Sequence, residues 1–243
     1  VSDRARLVEK GVFPLVLVMS ATPIPRTLAL AVHGDMDLSI LDEKPPGRKP
    51  IRTVALPLSR LMEVYDAIDR AIAKDERAYW VCPLIEESEA VDLAAVEDRL
   101  EALRERFGDL VEVVHGRMSA TSREAAMDRF KTGDARILVA TTVIEVGVNV
   151  PEATIMVIEH AERFGLAQLH QLRGRIGRGD KPGACLLLWK PPLGETAKTR
   201  LDALRRSDDG FAIAEIDYTL RGAVAAFLRE VCAPALVGRD AFL

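Results

Sequence analysis

The chain has 243 residues, 49% of them hydrophobic and 29% charged, with a formal net charge of −4. That composition excludes a disordered chain, and no apolar run reaches the ~18 residues needed to cross a membrane. Mild acidity excludes binding nucleic acid through the field of the whole molecule, so such a partner has to be gripped by local patches. No secretory signal opens the sequence, and the widely spaced Cys82, Cys185 and Cys232 form neither a zinc pattern nor a disulfide framework. Both features point to a reducing cytoplasm.

Val12 to Ala21 (VFPLVLVMSA) reads as a buried parallel strand. It ends in Ser20-Ala21-Thr22. Small hydroxyl residues there either lie where parallel sheets bind ligands or form an ordinary strand-to-helix turn. Pro25 opens a helix to about His33. Asp42 to Pro50, with three prolines and mixed charges, reads as a linker. Beyond it, strand and helix alternate. Ile51–Leu56 suits a strand, and Ser59 can cap a helix with Leu61, Val64, Ile68 and Ile72 on one face. Ala78–Cys82 is a second strand. Ser88 caps a long acidic helix with Leu93, Val96, Leu100 and Leu103 inward, closed by Gly108. Its charges read as a solvated face.

Leu110–His115 is a third strand. Thr121 and Glu124 have capping-box spacing for a helix carrying Met127 and Phe130, with Gly133 near its end. Arg136–Thr141, Ala153–Glu159 and Ala184–Trp189 complete six strands, and residues from Gly194 onward are mainly helical in pattern. This alternation implies a parallel sheet covered by helices on both faces, an α/β fold. Trp80 and Trp189 fall inside apolar strands and read as core.

Four features fall where such a sheet would present its carboxyl edge to a ligand. Ser20-Ala21-Thr22 is the first. His115-Gly116-Arg117 is the second; His115 has no metal-ligand partner at useful spacing and reads as packed or hydrogen-bonded rather than as a catalytic base. The third is Thr141 to Pro151, where the hydroxyls of Thr141 and Thr142 can grip a phosphodiester or cap a short helix, Gly147 permits a turn, and Asn149 can reach a sugar. The fourth is Glu159–Gly179, read as a helix from about Gly165 to Arg173 with a glycine-broken end. It places Gln171, Gly174, Arg175, Gly177 and Arg178 in the pattern Q-x-x-G-R-x-G-R. Residues 163–179 hold four arginines and no acid. Guanidinium forks suit phosphate oxygens, and glycines let the backbone approach a ligand. A solvated basic helix end is the alternative.

Read together, SATPIPRTLAL, PPGRKPIRT, AYWVCPLIEESE, HGRMS, ILVATTVIEVGVNVPEA and ERFGLAQLHQLRGRIGRG resemble the bacterial RecG family of branched-DNA helicases, within superfamily 2. The resemblance runs from about Val12 to Gly222. It implies two RecA-like domains with ATP in the cleft between them. Ser20, Ala21 and Thr22 would couple nucleotide state to DNA grip. Thr141 to Pro151, with Thr142, Gly147 and Asn149, would touch the DNA backbone and the nucleotide edge. His115 and Gly116 would lie on the DNA side. Gln171, Arg175 and Arg178 would be catalytic, the arginines reaching the terminal phosphate. The implied cofactor is ATP with Mg²⁺, the partner is branched DNA, and the protein is expected to be monomeric and cytoplasmic.

The sequence departs from that family in places. The phosphate-cradling G-x-x-x-x-G-K-[ST] loop and the Asp-Glu magnesium motif are absent. Asn149 stands where relatives carry Asp. The likeness stops after Gly222, and residues 223–243 read as a degraded tail. The chain, which opens on Val1, is expected to be a carboxyl-terminal fragment. Residues 1–41 would be the tail of a first motor domain, 42–50 a linker, 51–191 the second motor domain, and 192–243 a helical extension. Such a piece is expected to be inactive alone. A non-catalytic RecA-like binding module and the motor half of a transcription-repair coupling translocase are the competing readings.

Overall fold

A computed structural model describes residues 39, 49–83, 89–141 and 150–220, with 89–95 described by backbone alone. Six strands and six helices succeed one another in chain order: β1 (Ile51–Pro57), α1 (Leu61–Ile72), β2 (Arg77–Val81), α2 (Glu89–Phe107), β3 (Val111–Val114), α3 (Ala120–Thr132), β4 (Ile137–Ala140), β5 (Ala153–Ile158), α4 (Leu166–Arg173), β6 (Gly183–Trp189), α5 (Glu195–Arg206) and α6 (Gly210–Leu220). The strands form one sheet in the order β1-β6-β5-β2-β4-β3, and every pairing is parallel. All six strands therefore start at one pole and end at the other.

Side-chain alternation along the strands sorts the apolar residues onto two faces. Trp80, Ile137, Val139, Val157 and Leu188 pack under α1 and α2, against Val64, Ile68 and Leu103. Tyr79, Leu138, Met156, Ile158 and Leu187 face the other way, against Phe130 of α3, Leu166 and Leu169 of α4, and Leu204 of α5. Burying each such side chain contributes about 1.5–3 kcal/mol. With both faces covered, the strands read as continuous apolar runs, and this is why they are visible in the sequence.

Helix starts differ from expectation. Ser59 lies inside a short 3₁₀ turn, Leu58–Arg60, and α1 starts after Arg60 with no side-chain cap. For α3 the cap is Ser119, whose hydroxyl accepts from the Ser122 N–H at 3.1 Å. Ser119 has the extended backbone of a cap residue, whereas Thr121 and Glu124 already lie within the helix and are exposed. Gly133 ends that helix at φ 94°, a conformation that favours glycine. Gly165 starts α4 as expected, and the Gln168 side chain reaches back to accept from its N–H. Trp80 is fully buried, and half-buried Trp189 packs against the core.

Candidate functional site

The sequence-predicted residues divide between the two poles. At the carboxyl pole, β4 ends at Ala140, and Thr141 comes next, buried. Its neighbour β3 ends at Val114, which sets half-buried His115 and exposed Gly116 beside Thr141. The Met118 N–H donates to the His115 carbonyl oxygen. His115 Nδ1 is buried and has no hydrogen-bond partner among the described residues. Thr142, Gly147, Asn149 and the Ser20-Ala21-Thr22 turn lie outside the described residues.

A buried polar network also sits at this pole. Glu159, just past β5, accepts from Trp80 Nε1 at 2.9 Å and from Arg99 Nε and Nη2 at 2.9 and 2.5 Å. Arg99 Nη1 donates to the Tyr65 hydroxyl at 2.9 Å, and its guanidinium lies 5.5 Å from the Trp80 ring centroid. Burial opposes the Arg99 charge, but the Glu159 hydrogen bonds and charge outweigh it and raise its pKa. The Cys82 thiol is pushed up by burial and then by the neighbouring Glu159 charge. Arg99 thus ties the acidic helix α2 to the end of β5.

From there the chain returns across the sheet. His160 adopts φ 50°, the turn Ala161–Arg163 comes next, and α4 runs back beneath one face. Gln171 is exposed in its last turn. Ile176 is fully buried and anchors the loop beyond α4. Gly177 has φ 66°, and a Cβ there would lie 3.1 Å from Ile51, the first residue of β1. A Cβ on Gly179 would lie 2.9 Å from the Pro151 carbonyl oxygen, just ahead of β5. Gly183 opens β6. The loop bearing half-buried Arg175 and exposed Arg178 therefore lies at the amino pole.

The expected placement of the whole arginine segment at the carboxyl edge is thereby corrected. A connection between parallel β5 and β6 has to return to the pole where strands start, and its second half is delivered there. The six residues of β5 make the separation of the poles roughly 20 Å at ~3.3 Å per residue. Burial pushes the Tyr79 hydroxyl up to about 12, and the charges of Arg178, Arg175 and Arg77 pull it the other way.

The four arginines of the segment do different things. Arg173 is buried and donates from Nη1 to the carbonyl oxygens of Leu204 and Ser207 at 2.7 and 2.8 Å, closing the end of α5. Arg200 of α5 reciprocates, donating to the carbonyl oxygens of Phe164 and Glu162 at 2.7 and 3.0 Å. Arg163 is exposed on its turn. Only Arg175 and Arg178 ride the glycine-turned loop.

Neither the Arg173 nor the Arg200 clasp is foreseen by sequence reasoning, nor are the buried arrangements of Arg99 and Arg77. Arg99 carries one usable signal: it is three residues past Val96 and four before Leu103, beside the inward stripe of its helix. Among the described residues no group of three His, Cys, Asp or Glu could hold a metal, and no helix is long and apolar enough to cross a membrane.

A parallel sheet of this order, with an arginine loop at one pole and hydroxyl and glycine turns at the other, is the fold of a RecA-like helicase carboxyl-terminal domain. Residues 60–180 match the helicase conserved C-terminal domain family. The chain is 51% identical over 223 residues to the ATP-dependent DNA helicase RecG of Acidithiobacillus ferridurans, covering 91% of this chain and 33% of that protein. It is 52% identical over 216 residues to RecG of Escherichia coli strain K12, covering 88% of this chain and 31% of the relative. The structure of a RecG bound to a three-way DNA junction superposes with a TM-score of 0.72 at 45% identity, over 86% of this chain and 27% of that one. Dbp5 of S. cerevisiae, bound to RNA and ADP BeF3, shares the fold alone, at 14% identity and a TM-score of 0.53 over 82% of this chain and 52% of that chain. Over about nine-tenths of its length the chain is a homologue of RecG helicases, at about 50% identity. It spans about a third of the length of the curated relatives it matches.

Proposed function

We propose that this chain supplies the second motor lobe of an ATP-dependent DNA helicase that acts on branched DNA in recombination and repair. The observation that carries the reading is the arginine loop. Arg175 and Arg178 stand on backbone fixed by buried Ile176 and by Gly177 at φ 66°, at the pole opposite Thr141 and His115. Nucleotide contacts and DNA contacts are thus assigned to opposite ends of one rigid sheet.

Bound ATP supplies the phosphoryl group whose transfer to water drives the motor. Toward it this lobe offers two guanidinium groups, one exposed and one half-buried. Gln171 is assigned to the same surface, and Gly147 and Asn149 to its edge. An arginine brought to the terminal phosphate across a cleft typically gives ~10³–10⁵ in rate. The lobe carries no phosphate-cradling loop, so catalysis needs a second lobe and closure between them. Mg²⁺ is assigned mainly to that other lobe. At the carboxyl pole, Thr141, Thr142, His115 and Gly116 are assigned to the DNA backbone. Ser20, Ala21 and Thr22 are assigned to coupling between the lobes.

The test is DNA-stimulated ATP turnover in a full-length RecG that carries this chain as its matching third. Arg178→Ala is expected to lower turnover by about 10³-fold. Turnover within twofold of the parent refutes the assignment. The 243-residue chain alone is expected to show no DNA-stimulated turnover.

A further inference from the structure

Arg77 is a buried charge that the proposed chemistry does not use. It opens β2 at the amino pole, and its ties are unusually concentrated. Its N–H donates to the Glu152 carbonyl oxygen at 2.9 Å, and its Nη1 donates to Glu152 Oε2 at 2.9 Å. Its Nε is buried without a hydrogen-bond partner among the described residues. A Cβ on Gly133 would lie 2.8 Å from Nη2, so the guanidinium is walled in on that side as well. Holding a guanidinium in this position costs free energy that an apolar residue would not. It secures one short turn. Val150, Pro151 and Glu152 lead into β5, and the Ala153 N–H closes the turn onto the Val150 carbonyl oxygen at 3.0 Å. Gly179, the residue after Arg178, has its backbone seated against the Pro151 carbonyl oxygen. A second tie, Lys181 Nζ to the Lys74 carbonyl oxygen at 2.9 Å, joins the far end of the loop to the turn just before Arg77.

We propose that Arg77 is a positioning residue for Arg178, acting through Glu152 and the Pro151 turn on which the arginine loop rests. This rests on the assignment of Arg178 above. Misplacing a reacting group by about 1 Å can cost up to 10²-fold in rate. A support one residue away from Arg178 is well placed to matter. Arg77→Met removes the clasp while keeping an apolar stem of similar length.

Two measurements test it. On the 243-residue chain, hydrogen exchange read by mass spectrometry is expected to run about fivefold faster in peptides covering 150–153 and 174–182 of the Arg77→Met variant. Peptides from β3 and β4 should be unchanged. Should that variant fail to fold, Glu152→Ala, at the exposed end of the same pair, is expected to give the same local pattern. Unchanged exchange in 174–182 overturns the proposal.

In the full-length RecG carrying this chain, Arg77→Met is expected to lower kcat about tenfold while KM for ATP stays within twofold. Arg77→Lys, which keeps a charge within reach of Glu152, should recover at least half of the lost turnover. A lower melting temperature with unchanged kcat overturns the positioning role. If Arg178→Ala itself leaves turnover intact, the assignment of Arg178 fails, and with it a positioning role toward that residue. A loss with Arg178→Ala but none with Arg77→Met rejects the Arg77 proposal alone.

Discussion

Arg99→Met isolates the polar network at the end of β5. In the native lobe the Glu159 carboxylate receives three strong donors, two from Arg99 and one from Trp80, and it is nearly inaccessible to water. The substitution leaves a buried charge with two neutral donors, the Trp80 N–H and the weak Cys82 thiol at 3.9 Å. Breaking a buried pair from one side typically costs about 3–5 kcal/mol. The Tyr65 hydroxyl also loses its partner, for about 0.5–1.5 kcal/mol.

The expected loss is therefore about 4 kcal/mol. For a domain of this size it lowers the melting temperature by about 8–16 °C. Thermal unfolding of the 243-residue chain by circular dichroism measures this. Arg99→Met combined with Glu159→Met should recover most of the loss, short of about 1 kcal/mol for the stranded Trp80 N–H. A shift under 2 °C refutes the reasoning.

Arg173→Met removes the donor to the Leu204 and Ser207 carbonyl oxygens; a loss of about 2–4 kcal/mol in urea unfolding is expected, with faster hydrogen exchange confined to α5 and α6. Arg178→Ala, at an exposed position, should change stability by less than about 0.5 kcal/mol in the same assay, against its large expected effect on turnover. Gly177→Ala imposes a side chain at φ 66° and sets its Cβ 3.1 Å from Ile51, so a loss of about 1–2 kcal/mol is expected in urea unfolding. Burial pushes the Glu162 carboxyl up, but the His160 hydrogen bond and further hydrogen bonds outweigh it, and its pKa is lowered. Its stabilisation is present above the ordinary glutamic acid value and is lost as pH falls through the folded value. Melting temperatures measured below pH 5 should accordingly fall less steeply in Glu162→Gln than in the parent.

The strands were legible because both faces of the sheet are buried, which gives each strand an uninterrupted apolar run such as Ile137–Ala140. Helix faces could be read from 3.6-residue spacing, as with Val64 and Ile68. Caps were less legible because Ser119 and Thr121 are equally good by composition, and only the path out of β3 decides between them. The guanidinium clasps were hidden for a different reason. Arg77 and Glu152 lie 75 residues apart, Arg99 and Glu159 lie 60 apart, and Arg173 meets its carbonyl partner 31 residues on. Only the strand order brings these groups together. The motif residues were recognisable, but the pole each occupies was not, since pattern alone does not say that the second half of a crossover lies at the opposite end from the first.

Strand order also decides where this protein can be cut. Gly183–Trp189 is wedged between Ile51–Pro57 and Ala153–Ile158, and Ile51–Pro57 has no other neighbour in the sheet among the described residues. The helicase match covers 60–180 and so omits both of these strands. Trimming to those limits would strip one flank of Ala153–Ile158 of its hydrogen-bonding partner and bare apolar surface on either side. The smallest piece expected to behave well in solution runs from Lys49 through Leu220, keeping the helix whose Ile213 is buried in the core, and is wider at each end than the recognisable signature.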